Sequence, residues 1–233
     1  MFKLYVSDLL LEVTRKCNMH CQHCLRGTAQ NLDMSTAIVD EILKSISGIG
    51  NIAFTGGEPT LNVPLIQYFV DKIKELKIPV SSFYLVTNGK IESIDLVKTL
   101  IDLYAISDTT DEMSTFTLSR DQYHEKVPVP KIYKALKFFN EEARLKFIQN
   151  DYVIKEGRAR NIGRSIVVQE EWELESYDEG EISVRNNLYI AANGYVVTCC
   201  DFSYKRIDRE AIGNVLNESL SQIVSRYLKA EAA

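Results

Sequence analysis

The chain has few cysteines and lacks both a signal peptide and a long apolar segment. It contains five Cys in 233 residues, an odd number that excludes complete disulfide pairing. Its start, MFKLYVSDLLLEV, lacks the basic start and the unbroken apolar run of a signal peptide. No apolar run approaches the roughly 20 residues that span a bilayer. We therefore expect a cytoplasmic protein that does not cross a membrane. In the reducing cytoplasm, clustered thiols are expected to bind metal or perform redox chemistry.

An excess of basic residues is also lacking. The chain has 27 Lys and Arg against 32 Asp and Glu, which gives a formal net charge of −5 at pH 7. This balance argues against a dedicated nucleic-acid-binding protein, although the segment 155–164, KEGRARNIGR, is locally basic. The sequence shows no internal repeat and no low-complexity linker. With 45% hydrophobic residues, the chain is long enough for one main core.

Short β-prone runs alternate with helical segments over the first two thirds of the chain. We predict strands at 4–14, 51–56, 81–88, 114–119 and 145–149. We predict helices at 35–47, 63–77, 94–104 and 130–143. This alternation is typical of an α/β fold with a parallel sheet, either wound or closed into a barrel. The chain is short for a complete eight-unit barrel, which typically needs about 250 residues.

The C-terminal part follows a different pattern. In LYIAANGYVVTCC, residues 188–200, Asn193 and Gly194 separate two β-prone runs, which predicts a hairpin because both residues accept positive φ angles. A closing helix is predicted at 217–230. We therefore predict a main domain at 1–180 and a hairpin-plus-helix appendage at 181–233.

Three of the five cysteines lie together directly after the first predicted strand. Cys17, Cys21 and Cys24 have the spacing C-x3-C-x2-C, and three soft thiolates on one loop favour an iron–sulfur cluster or zinc. A structural zinc site needs a fourth ligand, which His20, His23 or a distant group could supply. A loop of unligated cysteines is the third interpretation, but such thiols would be exposed and oxidisable. An open cluster, with one iron left for a small molecule, is favoured.

The spacing of these cysteines resembles the signature loop of the radical S-adenosylmethionine (SAM) superfamily. A second match is FTGGEP at 54–59, because the family carries a GGEP motif after its second strand. The resemblance is specific over roughly residues 9–90 and looser beyond them. It implies a partial (β/α)6 barrel like that of TIM, with the small C-terminal hairpin and helix appended. In the family the residue before the last Cys is commonly aromatic and lies near the adenine of SAM; here it is His23.

The resemblance assigns roles to the two motifs. Cys17, Cys21 and Cys24 would hold one [4Fe–4S] cluster, whose open iron is chelated by the amino and carboxylate groups of SAM. Gly56 and Gly57 would let the backbone approach the SAM amino group. Glu58 would receive or orient that group, and Pro59 would stiffen the exit. Without the cysteine loop beside it, an ordinary strand-to-helix turn would be the favoured interpretation of TGGEP.

Polar residues after the later strands are further candidates, because the carboxyl ends of parallel strands converge on one face. Family resemblance puts Asn88 near SAM, whereas Asn-Gly is also a common turn. The segment 119–124 resembles an S-x-D-x-x-H pattern of some radical SAM proteins. This predicts Ser119 at the ribose or carboxylate of SAM, with Asp121 and His124 lining the site. Arg120 departs from that pattern, and Ser107 is the second choice for the serine.

The segment EGRARN at 156–161 resembles a GRA turn of the same subset. Arg158 would then bind the SAM carboxylate or an acidic group of the substrate in a two-pronged fashion. A solvated basic turn is the competing interpretation.

The last two cysteines, Cys199 and Cys200, lie in a tail that resembles a shortened SPASM or twitch extension. Such extensions bind extra clusters in radical SAM enzymes that modify peptides. Two adjacent Cys do not hold a cubane cluster, so we predict one cluster per chain. One of the two thiols could donate a hydrogen atom to a substrate radical; the alternative, which is favoured, is a pair of strand-end cysteines of which one faces the core.

The resemblance implies an enzyme that cleaves SAM reductively to a 5′-deoxyadenosyl radical and abstracts a hydrogen atom from its substrate. A ribosomally made peptide or protein is the leading substrate class, because the tail resembles that of peptide modifiers. A nucleotide, carbohydrate or other small metabolite is the first alternative. A non-catalytic iron–sulfur or zinc module is the second. An external electron donor such as flavodoxin or ferredoxin would be required.

Overall fold

The computed structural model describes residues 2–107, 114–119, 122–128, 131, 147–148, 153–162, 165–166, 173–177 and 181–231. The first part of the chain alternates strands and helices as the sequence predicts. Its elements are β1 (Lys3–Thr14), α1 (Thr36–Leu43), β2 (Ile46–Gly56), α2 (Val63–Leu76), β3 (Val80–Thr87), α3 (Ile94–Ile106), β4 (Thr115–Ser119) and β5 (Phe147–Ile148). The predicted helix at 130–143 lies outside the described residues except for Lys131.

The second part is richer in strands. Its elements are β6 (Val153–Ile154), β7 (Ser165–Ile166), β8 (Glu173–Tyr177), β9 (Glu181–Ile190), β10 (Tyr195–Val197), α4 (Tyr204–Glu210), β11 (Gly213–Asn214) and α5 (Leu220–Glu231). The predicted hairpin is present, because β9 and β10 pair antiparallel across Asn193 and Gly194.

One sheet of nine strands organises the described residues. Its order is β11-β10-β9-β1-β2-β3-β4-β5, and β8 pairs with β9 outside this order, at residues 181–185. The sheet is parallel from β9 through β1, β2, β3 and β4 to β5. The α/β fold with a mostly parallel sheet is therefore confirmed. The C-terminal hairpin continues this sheet, because β9 lies directly beside β1.

Strand β2 begins five residues before the predicted strand, and helix α1 ends correspondingly early. Ile46 pairs with Leu4 at the start of β1, and the parallel register continues to Gly56. Ile46, Ile49 and Ile52 are all buried in the core of this sheet. Pairing with a long neighbour therefore extends the strand through a segment whose two glycines weaken its intrinsic β propensity.

Helices α1 and α2 carry their apolar residues at the spacing of one helical face. Those of α1 are Ile38, Val39, Ile42 and Leu43. Those of α2 are Val63, Leu65, Ile66, Phe69, Val70 and Ile73. Both sets belong to the same buried cluster as the side chains of β1 to β4, so burial of these faces drives the helices onto the sheet.

A buried charged network joins the end of β1 to the C-terminal hairpin. The side chains of Glu12 and Arg15 are 0% and 1% exposed, and Arg15 Nε donates to Glu12 Oε1 at 2.6 Å. The Tyr189 hydroxyl donates to Glu12 Oε2 at 2.6 Å, and the backbone N–H of Ala192 donates to Oε1 at 3.1 Å. Arg15 also reaches Asp208 Oδ1 at 3.1 Å. Burial raises the pKa of the Tyr189 phenol well above its ordinary value, which keeps it a donor.

Within the described residues, no helix combines the length and the apolar character that crossing a membrane requires.

Candidate functional site

A cavity of about 310 Å³ lies where β1, β2, β3 and β4 end. Of the residues predicted from the sequence, those that line it are Cys17, Cys21, His23, Cys24, Gly56, Gly57, Glu58, Pro59, Asn88, Ser119, His124 and Arg158. Cys199 and Cys200 are not among its described lining residues, and Asp121 lies outside the described part of the chain. Residues from five separate segments thus converge, and four of these segments follow the carboxyl ends of neighbouring parallel strands, which share one edge.

The three clustered cysteines lie on the loop that leaves β1, and all three are partly buried. The backbone N–H of Met19 donates to Cys17 Sγ at 3.4 Å, and that of Cys24 donates to the Cys21 carbonyl at 3.3 Å. Burial raises the pKa of the Cys17 thiol, against the hydrogen bond from Met19 and the positive charge of Arg158, which lower it. The loop is therefore folded locally while its thiols face the cavity.

The arrangement of these thiols bears on the kind of metal group they could hold. Among the described residues, no group of three or more His, Cys, Asp or Glu side chains is arranged around a single metal ion. A mononuclear zinc site requires such convergence. A cubane cluster does not, because each of its irons takes its own thiolate.

The GGEP segment is bonded by its backbone to the start of the cysteine loop. The N–H of Gly57 donates to the Thr14 carbonyl at 2.9 Å, and that of Glu58 donates to the Lys16 carbonyl at 2.8 Å. A Cβ at Gly56 would lie 2.1 Å from the Thr14 carbonyl oxygen, and one at Gly57 would lie 2.2 Å from that of Lys16. Both positions require glycine because any side chain would force the two segments apart.

The Glu58 carboxylate is buried, and it accepts hydrogen bonds from two strand ends. Thr60 Oγ1 and Thr87 Oγ1 donate to Oε1 at 2.5 and 2.7 Å, and the N–H of Asn88 donates to Oε2 at 2.8 Å. Burial raises the pKa of Glu58 above its ordinary value, while these hydrogen bonds lower it. The carboxylate thus ties the end of β2 to the end of β3, a contact that the sequence did not predict.

Asn88 directly follows β3, and Ser119 is the last residue of β4. Both line the cavity. Asn88 Nδ2 donates to Asn18 Oδ1 on the cysteine loop at 2.7 Å. Ser107, the second choice for the predicted serine, instead ends α3, where its hydroxyl donates to the Leu103 carbonyl at 2.8 Å. Ser107 is absent from the described cavity lining, so Ser119 is the serine at this site.

Two rings that line the cavity, those of His23 and His124, contact each other, and His23 also contacts Tyr123. His23 stacks on Tyr123 with ring centroids 5.0 Å apart, and it contacts His124 edge-on at 4.7 Å. His23 and His124 were predicted from the sequence, whereas Tyr123 was missed. In the sequence, Tyr123 is marked only by its position next to His124. No pattern of residues predicts that it stacks on His23, which lies a hundred positions away.

The turn Gly157–Asn161 rests on the C-terminal end of the cysteine loop. The N–H of Arg158 donates to the Cys24 carbonyl at 2.9 Å. Gly157 has φ +53°, and a Cβ there would lie 2.3 Å from the Leu25 carbonyl oxygen and 2.6 Å from that of Cys24. Arg158 Nε and Nη1 are buried without a hydrogen-bond partner among the described residues. The turn therefore positions a guanidinium group at the cavity and requires glycine before it.

Gly157→Ala is expected to push this turn off the cysteine loop. Overpacking of this kind costs about 1 to 3 kcal/mol. Gly27→Ala is the matched control, because Gly27 also has positive φ and lines the cavity, but its added Cβ meets nothing within 4 Å. Chemical denaturation and iron content after reconstitution should show Gly157→Ala as the less stable and less iron-loaded variant. Equal losses in the two variants would contradict the contact.

Cys199 and Cys200 differ in their surroundings. Cys199 is 1% exposed and packs in a small apolar cluster with residues such as Val197 and Ile207. It accepts a hydrogen bond from the Asp201 N–H at 3.4 Å. Cys200 is partly buried, and its thiol reaches Asp201 Oδ1 at 3.6 Å. A buried strand-end cysteine of this kind matches the alternative that was favoured over a hydrogen-donor role.

Two further cavity residues, Arg26 and Tyr204, were not predicted. Arg26 Nη1 donates to the Phe202 carbonyl at 2.6 Å, and its guanidinium lies 4.6 Å from the centre of the Tyr189 ring. Tyr204 begins α4, and its N–H donates to the Arg26 carbonyl at 3.1 Å. The C-terminal segment therefore forms part of the cavity wall.

Comparison with known families gives two matches. The model of the radical SAM superfamily matches residues 11–160. The model of SPASM, described as an iron–sulfur cluster-binding domain, matches residues 182–231.

Curated relatives match only parts of the chain. An uncharacterized protein of Methanocaldococcus jannaschii is 38% identical over 69 residues, which are 28% of this chain and 24% of that protein. A probable GTP 3′,8-cyclase of Methanothermobacter thermautotrophicus is 28% identical over 130 residues, which are 52% of this chain and 42% of that protein. The chain thus spans less than half the length of either relative.

A solved structure matches over nearly the whole chain. It is described as native anSMEcpe with bound AdoMet and the Cp18Cys peptide. It has a TM-score of 0.58 at 14% identity and covers 94% of this chain and 80% of that chain. At this identity the likeness shows a shared fold.

Proposed function

Because the chain belongs to the radical SAM superfamily, we propose that it cleaves SAM reductively and removes a hydrogen atom from a peptide or protein. One observation carries the proposal. A single cavity is lined by the three clustered cysteines and by the GGEP segment. These are the donors that a cluster with one open iron, and an amino acid chelating it, would require.

The residues present fit the two cofactors of this family, a [4Fe–4S] cluster and SAM. Cys17, Cys21 and Cys24 supply three soft ligands of the kind that iron–sulfur clusters take. Gly56 and Gly57 leave no room for a Cβ, so the bound amino acid would meet bare backbone. When bound, these groups supply a 5′-deoxyadenosyl radical that abstracts a hydrogen atom from the substrate.

The remaining work falls to the protein. Leu10, Ala53, Phe54 and Val86 line the cavity with apolar surface, which excludes water from the reacting atoms. Glu58 holds two strand ends together through the hydroxyls of Thr60 and Thr87. We propose that it fixes the geometry of the GGEP backbone, in addition to any contact it makes with the SAM amino group.

A peptide substrate is favoured by two considerations. The SPASM match covers residues 182–231, and this extension resembles that of peptide-modifying enzymes. The solved structure that shares this fold holds a peptide together with AdoMet. An external donor such as flavodoxin or ferredoxin would supply the electron.

A nucleotide substrate is the second candidate, and a specific observation favours it. The probable GTP 3′,8-cyclase is aligned with 52% of this chain. A compact protein with one cluster would also suit a small substrate. GTP therefore serves as the competing substrate in the functional test.

The test is anaerobic reconstitution with iron and sulfide, followed by incubation with SAM and dithionite. We expect 5′-deoxyadenosine to form, and to form faster when a peptide encoded near this gene is added. A peptide deuterated at the reacting position should transfer deuterium into 5′-deoxyadenosine. Acceleration by GTP and not by peptide would favour the nucleotide, and no 5′-deoxyadenosine at all would leave a non-catalytic metal module.

A further inference from the structure

A second cleft, here called the basic cleft, opens beside the cavity. It measures about 330 Å³, and four of its described lining residues carry positive charge: Arg26, Arg158, Arg160 and Lys205. Its described lining contains no carboxylate. Two of these cations, Arg158 and Arg160, belong to the locally basic segment 155–164 of a chain whose net charge is −5.

The positive charge of the basic cleft is only partly neutralised by the protein. Arg160 reaches Glu156 Oε2 at 3.4 Å, but that carboxylate is shared with Arg206 at 3.3 Å. Across the part of the chain that the structure describes, neither Arg158 nor Lys205 forms an ion pair. The cleft therefore keeps a net attraction for anions.

The deep end of the basic cleft has polar atoms without partners. Arg158 Nε and Nη1 and the Tyr204 hydroxyl are buried and make no hydrogen bond to the described residues. A buried guanidinium without an acceptor is costly, and a carboxylate is its best geometric complement. Each of these N–H donors can form a charge-assisted hydrogen bond with a carboxylate oxygen.

The basic cleft and the cavity are contiguous. Arg26, Gly27, Arg158 and Tyr204 line both of them. Charge extends outward from buried Arg26, which is 8% exposed, to Arg160, whose side chain is 61% exposed. A chain lying along this path would have one residue at the cavity and its neighbours among cations.

We propose that the basic cleft binds acidic side chains of the peptide substrate, next to the residue that enters the cavity. This inference rests on the proposed function and adds a substrate requirement to it: one or more Asp or Glu close to the reacting residue. Arg160 and Lys205 at the rim would attract the peptide, and Arg158 would hold the carboxylate nearest the cavity. An extended acidic peptide fits a cleft whose cations are spread from the interior to the surface.

The test measures binding of a fluorescein-labelled peptide of alternating Glu and Gly by anisotropy, under anaerobic conditions with the reconstituted protein. Its counterpart with Gln in place of Glu is the control peptide. The double variant Arg160→Gln, Lys205→Gln is expected to bind the Glu peptide roughly tenfold more weakly than wild type at low salt. Lys98→Gln, an exposed site on α3, is the matched control and should leave binding unchanged. Binding should also weaken at high salt.

Several results would overturn the proposal. These are equal binding of the Glu and Gln peptides, no effect of the double variant, or displacement of the Glu peptide by GTP at concentrations well below those of peptide binding. The last result would assign the cleft to a phosphate. Formation of 5′-deoxyadenosine without substrate is measured in parallel for wild type and for the control Lys98→Gln, and the two should match. If wild type forms none, the proposed function fails, while the binding data still decide the cleft.

Discussion

Cys21→Ala is expected to abolish formation of 5′-deoxyadenosine and to remove most of the iron from the reconstituted protein. Cys21 lies between the other two thiols of the loop, and all three line one cavity. Two thiolates cannot hold a cubane cluster that also leaves one iron open. We expect a loss of at least about 100-fold, since removing even outer-shell partners of metal ligands costs 10- to 100-fold. Iron and sulfide content, the visible spectrum of the cluster and 5′-deoxyadenosine yield are the measurements.

Cys200→Ser is the matched control for this prediction. Cys200 bonds to Asp201 and is not part of the described cavity lining, so the variant should keep wild-type iron and wild-type yield. A fall to about half the iron would reveal a second cluster in the segment that matches the SPASM model, residues 182–231. It would contradict the prediction of one cluster per chain. An unchanged yield in Cys21→Ala would contradict the proposed function itself.

Glu12→Ala is expected to lower the free energy of unfolding by about 3 to 5 kcal/mol, because it leaves a buried arginine without its closest acceptor. Glu12 and Arg15 are essentially inaccessible to solvent, and Glu12 also accepts from Tyr189 and from the backbone of Ala192. A single substitution would therefore strand three donors. Domains are stabilised by only about 5 to 15 kcal/mol, so this loss is a large fraction of the total. Urea denaturation followed by circular dichroism measures it.

Two further variants separate the stability cost of breaking a buried network from the cost of losing an ion pair at the surface. Glu41→Ala removes an exposed i,i+3 pair with Lys44 and should cost less than about 1 kcal/mol. Tyr189→Phe removes one donor to Glu12 while keeping the ring, and should lower the free energy of unfolding by about 1.5 to 3 kcal/mol. This variant tests the network if Glu12→Ala is too unstable to purify. Similar costs for Glu12→Ala and Glu41→Ala would show that the buried network does not stabilise the fold.

The strand and helix pattern of the first half of the chain could be predicted because it is local. Alternating apolar residues and helical spacing identified β1, β3, β4, α2 and α3 to within a few residues of their observed bounds. The start of β2 could not be predicted in the same way. Residues 46–50 contain two glycines and gain their extended conformation from pairing with β1 over its full length. Tertiary pairing overrides local propensity there.

Some residues of the candidate site could be predicted from the sequence and others could not, for the same reason. The cysteine loop and GGEP are each a short motif after one strand, so their residues and spacing were evident in the sequence. Tyr123, Arg26 and Tyr204 were missed because their roles depend on which distant segment packs beside them. The same holds for the hydrogen bonds that Glu58 accepts from Thr87 and Asn88, some thirty residues away.

By itself the sequence determined the motifs of this protein: three thiols at C-x3-C-x2-C, a glycine pair after the next strand, and the alternation of strands and helices. These features depend on spacing along a few residues, which the chain encodes directly. The tertiary structure alone decided that β9 lies beside β1, which brings Arg26 and Tyr204 together and forms the basic cleft. The physical reason is that burial and strand pairing join residues more than 170 positions apart, such as Glu12 and Tyr189, and such contacts leave no periodic trace in the sequence.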